Sequence, residues 1–541
     1  MRILGGERSV ILTLVTALAT SACASHAESA PPIVFPPATP ATTAPVQATP
    51  GAAVPSPPAS PGAPAAVPGG TAPPGQAAPP NPPEATTRLY QELAAIFGRS
   101  SVGHAQLAVS VTSLTVGDTL FSLNERRMMV PASNQKLLTV AAAARRLGWD
   151  FRYTTRVLAT GSVNADGTLD GDLVVVGSGD PTINPRHPDR WAVLDAWAGQ
   201  VAARGVKVIN GHLIGDDNAF AEPGLGSGWS WDDLVTGYGS PIGALQYNEN
   251  QVELLVGPGM TAGAAGIVSM SPMGSGLLVD NQVITVAADQ PTRVISERMP
   301  GWSMLTVRGQ VPVGGKPRLV LAAVENPTVM FLNAFREALS RKGIFLGGSA
   351  LDIDDVQKAP NLSTAETWVT DQSPPLAEIV DPLLKRSRNG YAETLLWTMT
   401  PPGEPANEVA GLKVLRETLT ELGVDPALYA SFDGSGLSRY DMLTAESLTR
   451  VLTTIWNDPV MLGPYRSALP VAGTAGSIEN RLKGTAAAGR VWAKTGSMFN
   501  IDTLSGYIVT TDDEPLVFSF LANNFTVPSS EIDAMMDEAL L

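Results

Sequence analysis

The chain has 541 residues, of which 44% are hydrophobic, and this length can bury a large core divided among about three domains. Its net charge of −15, from 36 Lys and Arg against 51 Asp and Glu, argues against nucleic acid as a partner, because binding to phosphates needs concentrated positive charge. A single cysteine, Cys23, excludes an internal disulfide framework. None of the four histidines stands in an H-E-x-x-H pattern, so we expect neither a metal nor a cofactor.

The N-terminus has the pattern of an export signal. MRILGGER carries positive charge, VILTLVTALA is an apolar core too short to span a membrane, and small residues follow it. Ala22-Cys23-Ala24 fits a cleavage site before Ser25, whereas the stretch from Thr20 to Cys23 is similar to a bacterial lipoprotein acylation site, with Cys23 as the lipid anchor. Both alternatives predict export to the periplasm or cell envelope, and the second adds a membrane attachment.

Proline, alanine, glycine, serine and threonine dominate the chain from about Ala30 to Pro83. Such a composition lacks the apolar side chains that build a core and predicts an extended, semi-stiff tether. We expect this segment to hold the folded part away from a membrane or within a cell wall.

The folded part begins near Thr87 with an amphipathic helix, RLYQELAAIFG, followed by strands around a turn at Gly117-Asp118 and by an alanine-rich helix. After Asp150, short stretches such as GDLVVVGSGDPT and NQVITVAAD indicate a mainly β region of one or two modules. Helices return at NPTVMFLNAFREALSRKG and from Leu376 to Met399, and the chain closes with antiparallel strands and a helix, SSEIDAMMDEALL. This order predicts an α/β (α+β) body interrupted by a β-rich insert.

The alanine-rich helix opens with a serine and a lysine three residues apart, in PASNQKLLTVAAAARRLG. Positions i and i+3 share a helix face, so Ser133 and Lys136 should point the same way, as a nucleophile and its base would. The tetrad alone favours ordinary helix-start chemistry, because serine is a good N-cap and lysine is common on helix surfaces. The rest of the chain therefore decides between the two interpretations.

Two later motifs favour the catalytic interpretation. Ser387-Arg388-Asn389 lies between helical stretches and Lys494-Thr495-Gly496 lies on a strand, and S-x-x-K, S-x-N and K-T-G in that order are the active-site elements of penicillin-recognising serine enzymes. The sequence resembles the class C low-molecular-mass penicillin-binding proteins, the D-alanyl-D-alanine carboxypeptidase/endopeptidase family, over most of residues 87–541. The likeness includes GWSWDDLVTGYGSPIGALQYNEN, SFDGSGLSRYDMLT and LPVAGTAGSIENRLKGT. The long gap between the first two motifs would hold extra domains, as it does in that family.

The resemblance implies catalytic roles for three residues. Ser133 would attack the carbonyl of a D-alanyl-D-alanine peptide and form an acyl-enzyme, with Lys136 as its base. Burial and a neighbouring cation, for which Lys494 is the candidate, would keep Lys136 neutral. Ser387 would relay a proton to the leaving amine.

Substrate binding is assigned in the same way. The amide of Asn389 would hold the substrate backbone, while Lys494 and Thr495 would bind its terminal carboxylate. Backbone N–H groups of Ser133 and Ser497 would form the oxyanion hole, and Gly496 would let substrate lie close to the strand.

Two residues depart from the family pattern: Arg388 replaces the usual Asp of S-x-N, and Ser497 replaces the usual Thr after K-T-G. We predict that the charge of Arg388 either faces the cleft, where it would attract an anionic substrate and help keep Lys136 neutral, or faces solvent and matters little. The cleft-facing alternative is the one that we favour.

The resemblance implies a penicillin-binding transpeptidase/β-lactamase-like catalytic domain and a serine DD-peptidase that acts on peptidoglycan stem peptides and is acylated by β-lactams. The alternatives are a related serine hydrolase, such as an esterase or a β-lactamase, and a non-catalytic protein that binds the cell wall. The predicted division of the chain is a signal peptide at 1–27, a tether at 28–86, a first catalytic part at 87–155, β-rich insert domains at 156–350 and a second catalytic part at 351–541.

Overall fold

The structure is a computed structural model that describes residues 84–190 and 192–541, apart from the side chain of Ser101. The predicted signal peptide and nearly all of the predicted tether lie outside the described residues. Within the described residues, no helix combines the length and the apolar character that a membrane crossing requires.

The described residues form ten α-helices and twenty-two strands. The α-helices are α1 Glu84–Phe97, α2 Gln135–Leu147, α3 Val193–Ala202, α4 Pro327–Arg341, α5 Leu376–Lys385, α6 Asn389–Thr398, α7 Glu408–Glu421, α8 Ala445–Trp456, α9 Pro459–Ala468 and α10 Ser529–Glu538. The first sixteen strands are β1 Gln106–Ser113, β2 Thr119–Leu123, β3 Thr154–Ala159, β4 Ser162–Val163, β5 Thr168–Asp170, β6 Leu173–Val176, β7 Val208–Ile209, β8 Leu213–Asp216, β9 Gln251–Gly257, β10 Ile267–Ser271, β11 Leu278–Val286, β12 Arg293–Glu297, β13 Met304–Pro312, β14 Arg318–Ala323, β15 Phe345–Leu346 and β16 Ala350–Asp352. They are followed by β17 Glu366–Gln372, β18 Tyr429–Ala430, β19 Met442–Leu443, β20 Val491–Met498, β21 Ile501–Val509 and β22 Pro515–Asn523.

A five-stranded antiparallel sheet, in the order β2-β1-β22-β21-β20, forms the centre of the catalytic part. Both faces of β21 and β22 are buried, which explains their almost continuous apolar sequences. Side chains of α2 and α8 pack on one face, in a core that includes Leu521 and Tyr507. Side chains of α1 and α10 pack on the other face, around Phe518 and Phe520. The predicted antiparallel strands at the end of the chain are confirmed.

The region between β3 and β17 contains four further sheets. The sheets β16-β8-β6-β3-β17 and β15-β7-β5-β4 share a core with α3 and α4 that includes Trp197 and Phe335. The sheets β10-β9-β14 and β11-β13-β12 share a smaller core, to which β9 contributes Val252, Leu254 and Val256. The mainly β character predicted for this region is therefore present, whereas α3 was not predicted from the sequence.

Strand β17 pairs antiparallel with β3, so the sheet that opens the insert also contains residues beyond position 350. The predicted boundaries at 155 and 350 stay predictions. Because the strands of one sheet share a core and belong to one domain, we propose that the insert continues to Gln372.

The helical stretch predicted from Leu376 to Met399 is present as two helices, α5 and α6, with a break at residues 386–388. A 3₁₀ turn, Ala132–Asn134, leads directly into α2. This turn, the break between α5 and α6, and the edge strand β20 carry the three motifs found in the sequence.

Candidate active site

Ser133 lies in the 3₁₀ turn that precedes α2, and its side chain is partly exposed. The preceding residue, Ala132, has a φ of +46°, a strained conformation for a residue other than glycine. Lys136 Nζ lies 2.8 Å from Ser133 Oγ. The two side chains therefore meet as the i, i+3 spacing predicts.

Lys136 is fully buried, and its amine has two further partners. Nζ donates to Asn389 Oδ1 at 2.7 Å and to the backbone oxygen of Ser435 at 2.6 Å. A neutral amine has two N–H bonds and one lone pair, so these two acceptors leave the lone pair for the hydroxyl proton of Ser133. Burial lowers the pKa of Lys136 to about 8, against the opposing charges of nearby carboxylates.

A second serine and lysine meet beside the first pair. Ser387 lies in the break between α5 and α6 with a φ of +57°, and Lys494 projects from β20. Lys494 Nζ donates to Ser387 Oγ at 2.9 Å and to the backbone oxygen of Thr495 at 2.7 Å. Burial, and then the charge of Lys136, lowers the pKa of Lys494 well below its usual value.

The two pKa shifts share one main cause. Burial is the main cause of the lowered pKa of Lys136 and of Lys494, and the repulsion between the two amines acts in the same direction. Burial thus disfavours the ammonium form of Lys494, the residue that we expect to meet the carboxylate of the substrate.

The rest of the K-T-G motif lies along β20. Thr495 Oγ1 is 2.8 Å from Ser477 Oγ, and the exposed Ser497 donates its hydroxyl to Asp502. A Cβ atom at Gly496 would lie 2.8 Å from Ser133 N and 2.3 Å from Thr503 Oγ1. Glycine at this position therefore lets β20 approach the turn that carries Ser133, which differs from the predicted role of leaving room for substrate.

The chain matches the D-Ala-D-Ala carboxypeptidase 3 (S13) family over residues 89–540. A D-alanyl-D-alanine carboxypeptidase from Actinomadura sp. (strain R39) is 32% identical to it over 461 residues, which cover 82% of each chain. The chain belongs to the S13 family. This membership confirms the family resemblance that the motifs indicated and makes the chain a serine DD-peptidase.

A second relative and a solved structure are also similar to this S13 peptidase over most of its length. The D-alanyl-D-alanine carboxypeptidase DacB of Haemophilus influenzae is 25% identical over 413 residues, which cover 75% of this chain and 83% of that relative. The crystal structure of penicillin binding protein 4 (dacB) from the same organism has a TM-score of 0.71 at 24% identity, covering 84% of this chain and 97% of that one. The predicted fold class is thus confirmed.

Three buried carboxyl groups that the motifs do not predict lie near Lys136 in this S13 peptidase. Glu393 accepts hydrogen bonds from the backbone N–H groups of Gly434 and Ser435, and Asp441 accepts one from that of Phe432. Burial, followed by the charge of Asp433, raises the pKa of both Glu393 and Asp441 well above the usual range.

Asp433 is the third of these carboxyl groups. Its oxygens accept from the backbone N–H groups of Gly436 and Ser438, from the hydroxyl of Ser435 and from the indole N–H of Trp229. These bonds fix the turn whose Ser435 carbonyl holds Lys136. The sequence signal is the DGSGLS stretch, in which Gly434-Ser435-Gly436 indicates a tight turn near the site.

Arg388 lines a cavity together with Ser387 and Asn389, and its charge is paired there. Its guanidinium forms an ion pair with Glu249 of the insert at 2.5 Å, and the two side chains are 25% and 12% exposed. The positive charge is therefore compensated, and it is not among the causes of the lowered pKa of Lys136.

Two cavities flank this ion pair, and both are lined by Glu249 and Arg388. One, of about 470 Å³, reaches Ser387 and Asn389. The other, of about 1030 Å³, reaches Ser477, the partner of Thr495. The first cavity therefore reaches the S-x-N motif, and the second reaches the hydroxyl that contacts Thr495.

Proposed function

We propose that this S13 peptidase hydrolyses D-alanyl-D-alanine-type bonds of peptidoglycan peptides through an acyl-enzyme on Ser133, and that β-lactams acylate the same oxygen. The observation that carries the proposal is the buried Lys136 amine, 2.8 Å from a partly exposed Ser133 hydroxyl. An alcohol is a poor nucleophile at neutral pH, so a base with a pKa near 8 is what this reaction needs.

In the acylation step, the proton of Ser133 moves to Lys136 as Oγ attacks the carbonyl carbon. The resulting oxyanion is stabilised by the backbone N–H groups of Ser133 and Ser497, each of which can contribute about 3–4 kcal/mol. The C–N bond then breaks as the leaving amine takes up a proton from the hydroxyl of Ser387, which is hydrogen-bonded to Lys494. Ser387 regains a proton from the Lys136 ammonium formed in the attack, so Lys136 is neutral again. Water hydrolyses the ester in the second half of the reaction and regenerates Ser133.

Substrate binding involves the remaining predicted residues. Asn389 uses its Oδ1 for Lys136 and its Nδ2 for the backbone oxygen of Tyr238, so in this state it holds the base and not a peptide. The terminal carboxylate of the substrate meets Thr495 and Lys494. Because a nearby anion favours the ammonium form of a lysine, binding of that carboxylate raises the pKa of Lys494 and takes up a proton.

Release of D-alanine from a peptide ending in D-Ala-D-Ala tests the proposal, with the L-Ala-L-Ala peptide as the control substrate. We expect release from the first peptide only, and loss of release in Ser133→Ala. Turnover of a β-lactam or of a simple ester, without action on the peptide, would instead favour the alternative serine hydrolases. Absence of all three activities would favour a non-catalytic wall-binding protein.

The pH dependence of penicillin acylation provides a direct prediction. Lys136 must be neutral to accept a proton, and its pKa is about 8. The neutral fraction rises with pH, so the acylation rate should increase about tenfold per pH unit below the midpoint and level off above about pH 8. Stopped-flow measurements between about pH 6 and 9.5 check this, and a flat profile over that range would contradict the role of Lys136.

The location of the protein follows from its substrate. Peptidoglycan places this S13 peptidase at the cell envelope, and we propose export by the signal peptide at residues 1–27, with the segment at 28–86 as a tether. Cleavage after Ala24 and lipidation of Cys23 stay alternatives. Mass spectrometry of the mature N-terminus distinguishes them, because only a lipoprotein would begin at an acylated Cys23.

A further inference from the structure

One stretch of the insert, residues 229–249, contacts the catalytic centre at three points. The indole N–H of Trp229 donates to Asp433 Oδ2 at 2.9 Å. The backbone oxygen of Tyr238 accepts from Asn389 Nδ2 at 2.9 Å. Glu249 forms the ion pair with Arg388. None of these contacts follows from the three motifs.

The first contact bears on the turn that holds Lys136. Asp433 is fully buried, and its carboxylate organises the backbone of residues 433–438, including Ser435. The turn also lies close to the segment around Trp229, since a Cβ atom at Gly228 would lie 2.6 Å from Ser438 Oγ. Loss of the indole donor would therefore loosen the turn whose carbonyl accepts from Lys136.

The other two contacts bear on the S-x-N motif. Asn389 Oδ1 is the second acceptor of Lys136, and the insert holds the opposite end of that amide through Tyr238. Glu249 holds the adjacent Arg388 from a left-handed turn in which Asn248, Glu249 and Asn250 all have φ between +53° and +57°. Three consecutive residues other than glycine in this region are costly, and such strain is found where a side chain must be aimed.

We propose that Trp229 and Glu249 are positioning residues of the acylation step, through which the insert fixes the two acceptors of the Lys136 amine. Trp229 acts through Asp433 on the carbonyl of Ser435, and Glu249 acts through Arg388 on Asn389. The proposal rests on the proposed function of Lys136 as the base. It makes the insert part of the catalytic apparatus.

The charged groups that face Lys136 come from three elements. Glu393 lies on α6, Asp433 and Asp441 lie in the loop after β18, and Lys494 lies on β20. Hydrogen-bond acceptors favour the ammonium form of Lys136 over the neutral form. Weakening the bonds to Ser435 and Asn389 should therefore lower the pKa of Lys136.

The test uses Trp229→Phe and Glu249→Gln, which remove one donor and one charge and keep most of the side-chain volume. The matched controls are Trp302→Phe, at an exposed tryptophan of the insert, and Glu297→Gln, in an exposed ion pair with Arg308. Stopped-flow kinetics with penicillin separate the acylation rate constant from the dissociation constant of the non-covalent complex. Each measurement is normalised to the fraction of protein that penicillin titrates.

We expect each positioning variant to lower the acylation rate constant about tenfold or more, to leave the dissociation constant within about twofold, and to shift the pH midpoint downward. The controls should match the unmodified protein. The proposal would be overturned if the normalised acylation rate constant and the pH midpoint of the variants equalled those of the unmodified protein. It would also be overturned if the slower acylation were fully explained by a smaller fraction of protein that penicillin titrates. Failure of the unmodified protein to acylate at Ser133 would instead refute the proposed function, so the two failures are distinguishable.

Discussion

Replacement of Lys136 by alanine is expected to slow penicillin acylation about a thousandfold. General bases contribute between about a hundredfold and ten-thousandfold, and the Lys136 amine is the group within hydrogen-bonding distance of Ser133 Oγ in the described residues. Removal of the amine also leaves Ser435 O and Asn389 Oδ1 without this donor, at a cost of about 1–3 kcal/mol for each buried group. We therefore expect a folded but less stable variant.

Lys136→Met separates the loss of the base from the loss of volume, because methionine retains most of the buried stem. Lys342→Ala, at an exposed lysine after α4, is the matched surface control. We expect the methionine variant to be as slow as the alanine variant and the control to be unaffected. Near-normal acylation of folded Lys136→Met would refute the assignment of Lys136 as the base.

Replacement of Gly436 by alanine is expected to destabilise the protein and to slow acylation about a hundredfold. Gly436 has a φ of +81°, and a Cβ atom there would lie 1.9 Å from the backbone oxygen of Ala132. The clash would push the turn of Asp433 away from the turn of Ser133. Overpacking of this kind costs about 1–3 kcal/mol, and a displacement of about 1 Å in an active site can cost about a hundredfold in rate.

Gly423→Ala is the matched control, because Gly423 has nearly the same φ, +82°, with no heavy atom within 4 Å of the added Cβ. It carries the conformational cost of about 1–2 kcal/mol without the clash. Chemical denaturation and penicillin acylation should show the larger loss for Gly436→Ala. Equal stability losses and equal rates for the two variants would show that the contact with Ala132 is unimportant.

The parts of the site that the sequence predicts are those encoded by local patterns. Ser133 and Lys136 are three residues apart on one helix start, so their contact follows from helix geometry. The order of S-x-x-K, S-x-N and K-T-G identified the family, and the apolar strands at the end of the chain predicted the antiparallel sheet.

The parts that the sequence does not predict depend on contacts between distant residues. Ser435 lies 299 positions from Lys136, and Trp229 lies 204 positions from Asp433, so no periodicity or spacing connects them. The ion pair of Arg388 is not predicted for the same reason, because its partner, Glu249, is 139 positions away in the insert. Burial of Lys494 likewise depends on the packing of β20, and it lowers the pKa of the amine, which the K-T-G motif alone does not predict.

Mass spectrometry of the penicillin-treated protein shows whether Ser133 is the residue that is acylated. After a short incubation, the protein is digested and the acylated peptide is identified by fragmentation. If Ser133 is the nucleophile, we expect one penicilloyl group per folded molecule, on the peptide that contains Ser133, and no adduct in Ser133→Ala. An adduct on another residue, or a folded protein that takes up no penicillin, would contradict that assignment.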